Sequence, residues 1–188
     1  MHEVAETCKL ALNRIEWLKN KSNDELNESS SFTSVDPAPP SFKCESVDQL
    51  KSILIDPSVD LFERYRAMFK LRNLNTNESA LALAQGLNCS DSALFRHEIA
   101  FVLGQMQNPV TVNNLGLSLE NKLENEMVRH ECAEALGAIA NDEANEILKK
   151  FIQDEQRVVR ESVEIALDIS DYSKGDEFQY ANSLYKIS

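Results

Sequence analysis

The strongest constraint on this chain is a repeat. LFERYRAMFKL (61–71), LFRHEIAFVLG (94–104), MVRHECAEALG (127–137) and VVRESVEIALD (158–168) share an apolar pair, a polar cluster and an Ala/Leu-rich run. Their starts lie 33, 33 and 31 residues apart. A second apolar segment precedes each copy: SVDQLKSILID (46–56), SALALAQGL (79–87), TVNNLGLSLE (111–120) and ANEILKKFI (144–152). The apolar positions follow helical spacing. In MVRHECAEALGAIA, residues Met127, Val128, Cys132, Ala135, Leu136 and Ile139 would form the core face. One helix pair cannot bury its own apolar face, so neighbouring pairs must stack. The predicted fold is all-α, an α-solenoid of four helix pairs. Only 5 Gly and 5 Pro in 188 residues leave few of the tight turns a sheet-rich fold needs.

The repeats occupy 46–171, followed by a tail, 172–188. Ahead of them AETCKLALNRIEWL (5–18) is helical in pattern, and VAETCKLAL (4–12) matches VRESVEIAL (159–167), the closing helix of the fourth repeat. Residues 19–45 turn polar and rich in Ser, Asn and Pro, which predicts a linker. Residues 1–18 are therefore expected to be the last helix of an earlier array that this sequence lacks.

Several classes drop out. No run approaches the ~20 apolar residues that cross a bilayer, and MHEVAETCKL lacks the basic start and apolar stretch of a secretory signal. A net charge of −12 opposes nucleic-acid binding. Cys8, Cys44, Cys89 and Cys132 have no CxxC spacing, and reduced thiols explain them, Cys132 in the core. The expectation is a cytoplasmic protein with neither a membrane nor a nucleic acid as partner.

Two repeats carry more than a core. His97-Glu98 and His130-Glu131 occupy one register position, which holds Arg64-Tyr65 in the first repeat and Glu161-Ser162 in the fourth. His2-Glu3 imitates the pair but is out of register. Equivalent helices of a solenoid lie about 8–10 Å apart, so side chains from neighbours can meet on one ion. Imidazole nitrogen with carboxylate oxygen suits Fe, Zn or Mn, and two His with one carboxylate is an arrangement used for Fe(II) and oxygen. Adjacent helical residues point about 100° apart, so four such groups could serve two ions, thinly. A zinc protease would need HExxH, and Phe101 and Glu134 stand where its second His belongs. The Glu-x-x-His of ferritin-like di-iron bundles is missing too. Against a metal site stands the plain reading that His and Glu merely hydrogen-bond near helix starts.

LFERYRAMFKLRN, SALFRHEIAFVLGQMQ, MVRHECAEALGAIA and RVVRESVEIALD, with SVDPAPP in the linker, closely resemble the deoxyhypusine hydroxylase family. The resemblance implies HEAT-like helix pairs, two arrays of four per molecule, and a His-Glu pair in the middle two repeats of each. It implies two irons per complete enzyme, held between the arrays, and the use of O2. The substrate implied is the deoxyhypusine side chain of translation initiation factor five A, converted to hypusine. On that resemblance His97, His130 and Glu131 hold one iron, and Glu98 reaches toward the other. Glu98 is also the implied catalytic and substrate-amine contact, and Met127 a pocket-lining residue. The two His-Glu pairs of the family's first array have no counterpart, so this chain would supply about half of the metal site and need the missing array as partner. Two other functions stay open: a non-catalytic HEAT-type adaptor with unused His-Glu pairs, and an enzyme with a single metal on a two-His site.

Overall fold

The computed structural model describes residues 2–20, 32, 34–43 and 45–174. Among them run α1 (His2–Asn20), α2 (Val47–Ile55), α3 (Leu61–Leu74), α4 (Asn77–Ala84), α5 (Ala93–Met106), α6 (Val112–Glu120), α7 (Glu126–Ile139), α8 (Asp142–Lys149) and α9 (Arg157–Lys174). Polar residues cut the repeats into helices: Asp60, Ser92 and Asn125 cap α3, α5 and α7, each side chain accepting from a first-turn backbone N–H. Asn75, Gln107 and Ala140 end the same three helices in the left-handed conformation, at φ of 48°, 49° and 55°.

Helices pair as α2/α3, α4/α5, α6/α7 and α8/α9, and the pairs stack so that α5, α7 and α9 lie side by side. Small residues set that spacing. A Cβ added to Gly104 would stand 3.1 Å from the Ala135 Cα, and one on Gly137 would stand 2.7 Å from that of Ala166. Between α3 and α5 the fillers are large: Tyr65 packs on Phe69 and Phe95 with ring centroids 6.3 and 5.5 Å apart, which holds α3 farther off.

An arginine ladder ties each pair to the next. The fourth residue of each inner helix is Arg64, Arg96, Arg129 or Arg160. Arg64 pairs with Asp91, Arg96 with Glu124 and Arg129 with Asp154, each acid coming from the following inter-helix loop. Arg64 and Arg129 also donate Nε–H to the carbonyls of Leu54 and Leu119. This column corrects the sequence register by one residue. Because 32 residues separate Arg64 from Arg96 where 33 separate Arg96 from Arg129, the structural counterpart of His97-Glu98 in the first pair is Tyr65-Arg66, not Arg64-Tyr65.

The described part of the predicted linker packs against the array. Ala38 is fully buried, the Ser41 N–H donates to the Arg66 carbonyl, and Phe42 stacks on Trp17. Buried Arg72 lies against the rings of Phe32 and Phe69 and donates to Asp36 and to Gln105 on α5. Helix α1 continues two residues past Leu18, and α9 three past Asp171. The remainder of the predicted tail, 175–188, and Cys44 lie outside the described residues. Met127 departs from its predicted place on the core face: it is 49% exposed and lines an open cavity beside Leu94 and His97, while Val128 next to it is fully buried.

Candidate metal centre

The fifth residue of α5 is His97 and the fifth of α7 is His130. Close packing of the two helices brings the imidazoles together in a tilted arrangement, with ring centroids 5.5 Å apart and planes inclined by 40°. Glu131 stands between them. Its Oε2 lies 3.1 Å from His97 Nε2 and 3.8 Å from His130 Nε2. One donor atom from each of His97, His130 and Glu131 falls within 4.8 Å of the others.

All three are largely withdrawn from solvent, Glu131 most of all with a side chain 9% exposed. A buried carboxylate is costly unless it is paired, and here only the two imidazoles offer themselves. His97 Nδ1 and His130 Nε2 are buried and make no hydrogen bond with any described residue. Buried nitrogens left unmatched beside a carboxylate are the mark of a donor set prepared for something else. Burial pulls the His97 imidazole down, but the hydrogen bond to Glu131 and the charges of Glu131, Glu98 and Glu134 outweigh it, so the ring is raised overall.

Glu98 stands apart from the convergent three. It sits among His97, Glu131, Asp36 and Arg72. Burial pushes its carboxyl above the ordinary range, with Asp36 and Glu131 adding to the rise while His97 and Arg72 oppose it. Tyr65 neighbours it, and burial first, then the charges of Glu98 and Glu6, keep that phenol protonated far above its usual range. Cys132, on the same helix as His130, faces the core, and burial raises its thiol to about 12. Its sulfur is not among the donor atoms that converge with His97, His130 and Glu131.

Two openings flank the centre. A cavity of about 480 Å³ is lined by Glu3, Leu94, His97, Glu126 and Met127. A groove of about 360 Å³ runs along α5, α7 and α9, walled by Phe101, Ala135, Ile165 and Ile169, with Glu131 and Glu134 at one end. Helix α1 reaches the first opening because Glu6 accepts from the Ser92 hydroxyl and Lys9 and Asn13 bind Asp60, so α1 crosses the starts of α5 and α3. Two partners were not foreseen from sequence. In the sequence Glu134 stands where HExxH would need its second His, and Ser162 holds the register position of Glu98 and Glu131. Both meet His130 here, at 3.2 and 3.3 Å from Nδ1. The i, i+4 spacing of His130 and Glu134 was the available signal.

A family model described as HEAT repeats matches residues 80–168. The deoxyhypusine hydroxylase of Drosophila melanogaster is 55% identical over 185 residues, 98% of this chain. The chain is a homologue of the deoxyhypusine hydroxylases. Those of Danio rerio and Homo sapiens are 50% and 51% identical, again over 98% of the chain. A solved structure of human deoxyhypusine hydroxylase in complex with glycerol superposes with a TM-score of 0.83 at 51% identity, covering 90% of this chain and 57% of that one. The chain spans about 60% of the length of the deoxyhypusine hydroxylases it matches. Among the described residues no helix is long and apolar enough to cross a membrane.

Proposed function

We propose that this chain carries part of the metal site of a deoxyhypusine monooxygenase. Its substrate is the deoxyhypusine side chain of translation initiation factor five A, in the cytoplasm, and its product hypusine. One observation carries the reading: in a homologue of these hydroxylases, His97, His130 and Glu131 converge within 4.8 Å and leave two buried nitrogens unmatched. Two imidazoles and a carboxylate fit iron. They would hold one ion, with Glu98 turned toward a second whose other ligands come from sequence the relatives have beyond this match. Iron, when bound, supplies the means of activating O2 toward a C–H bond. The chain's own residues do the rest. Glu98 presents a half-buried carboxylate to a cationic amine, Met127 lends an apolar wall to the cavity beside His97, and the acids Glu3 and Glu126 at that cavity draw in a positively charged side chain.

The test is anaerobic titration of the chain with Fe(II), with metal bound per chain as the readout. Wild type is expected to bind, and His97→Ala or Glu131→Gln to weaken binding by at least about 100-fold, with helix content unchanged. In the enzyme completed by its other half, Glu98→Ala is expected to abolish hydroxylation. Binding by the variants as tight as wild type would overturn the metal assignment. A chain that holds no metal would favour a non-catalytic adaptor built on the same helices.

A further inference from the structure

The two histidines of the centre share a register but not an environment. Next to His130, and not next to His97, lies a closed triangle. Nδ1 stands 3.2 Å from Glu134 Oε1 and 3.3 Å from Ser162 Oγ, and the Ser162 hydroxyl donates to that same Glu134 oxygen over 3.1 Å. Proton accounting then fixes the ring. An ionised carboxylate can only accept, so the contact with Glu134 requires a proton on Nδ1. The one hydroxyl proton of Ser162 is spent on Glu134, which leaves the Ser162 oxygen to accept as well. A neutral imidazole carries one N–H, so Nε2 must hold the lone pair. That nitrogen is the buried one with no partner, 3.8 Å from Glu131.

We propose that Glu134 and Ser162 are positioning residues for His130, which lock it as the Nδ1–H tautomer and present Nε2 as a ligand to the centre. Ser162 does this from α9 across a repeat boundary, at the register position that holds Glu98 in α5 and Glu131 in α7. The fourth repeat thus lacks a His-Glu pair and still contributes to the site. Its serine is 5% exposed, so water competes little for the contact. For His97 the equivalent neighbours are Phe101 and Glu131, neither of which holds Nδ1, and that nitrogen is unmatched. Outer partners of this kind orient metal-bound imidazoles and raise their basicity. The tautomer itself needs no metal; only the purpose given to Nε2 rests on the proposed function.

The chain has three histidines, so long-range ¹H–¹⁵N spectra of the labelled, metal-free protein resolve each ring, with His2→Gln and His97→Gln variants giving the assignments. At a pH where the rings are neutral, His130 is expected as Nδ1–H. Glu134→Ala combined with Ser162→Ala should shift it to the Nε2–H form that dominates for a free imidazole. Glu134→Gln keeps an acceptor oxygen and should restore the wild-type signature. In parallel, Co(II) affinity by calorimetry should fall about 10-fold or more in the double variant and stay near wild type in Glu134→Gln. An Nε2–H ring in the wild type, or a tautomer unchanged in the double variant, overturns the proposal. The expected tautomers in a wild-type chain that takes up no Co(II) would support the positioning roles and overturn the metal reading.

Discussion

Individual residues here owe their behaviour to what stands one repeat away. Arg129 and Asp154 form a pair with side chains 3% and 5% exposed, joined by two hydrogen bonds of 3.0 and 2.6 Å. The hydrogen bond from Arg129, aided by the Gln156 N–H, holds the Asp154 carboxyl below the ordinary range, against the opposing effect of burial. A carboxyl depressed in the folded state stabilises the fold above its unfolded pKa of about 3.9. That contribution disappears as pH falls through the folded value. Asp154→Asn leaves Arg129 buried without its counter-charge, a loss of up to about 3–5 kcal/mol at neutral pH. The gap in melting temperature between variant and wild type should then narrow below about pH 4. Circular-dichroism melts across that range check it; a gap independent of pH would contradict the assignment. At this scale the sequence was only half legible. It put His97, Glu98, His130 and Glu131 in one register, but adjacent residues on a helix point about 100° apart, and only the family resemblance set Glu98 apart from the other three. Arg72, holding Asp36 of the predicted linker, is equally silent in sequence, because that contact joins residues 36 positions apart.

Helices were far more legible, since periodicity and caps are local. The four apolar segments at 46–56, 79–87, 111–120 and 144–152 each overlap a helix, and so do the four inner segments. The slip of one residue in the first repeat arose because apolar pairs align at either register. The caps Asp60, Ser92 and Asn125 and the arginine column, both local patterns, give the right one. Two substitutions probe how the elements meet. Alanine is the better helix former, by about 1 kcal/mol over glycine, yet at Gly137 the added Cβ would press on the Ala166 backbone at 2.7 and 2.9 Å. Overpacking wins, so Gly137→Ala should destabilise by about 1–3 kcal/mol in urea melts. Ala140 has the opposite problem. Its φ of 55° strains any residue with a Cβ by about 1–2 kcal/mol, and it has no polar side chain to compensate. Ala140→Gly should therefore stabilise the chain by about 0.5–1 kcal/mol, because glycine's own entropy cost offsets part of the relief.

Across the whole molecule, stability in a stacked array follows neighbours. Helices α5 and α7 are covered on both sides, whereas α1 buries only Leu10 and leaves Val4, Leu12 and Ile15 about half exposed or more. Hydrogen exchange should protect amides of α5 and α7 most and those of α1 least. Equal protection along the chain would mean that α1 is held by more than buried Leu10, the Trp17–Phe42 stack and its polar contacts to Ser92 and Asp60. The solenoid was visible in the sequence because its period is a property of the whole string. The groove beside Glu131 was not, since its depth depends on how closely α7 and α9 approach.

The cluster of His97, His130 and Glu131 straddles the junction of two modules, and the hydroxyl that supports it comes from a third. Proteins of this build are readily lengthened or shortened by whole units. Here the splice of a foreign unit could preserve hydrophobic stacking and yet scatter the ligands, because no single unit owns them. The repeat supplies the scaffold, but the three side chains converge only across its seams and depend on the order of the units.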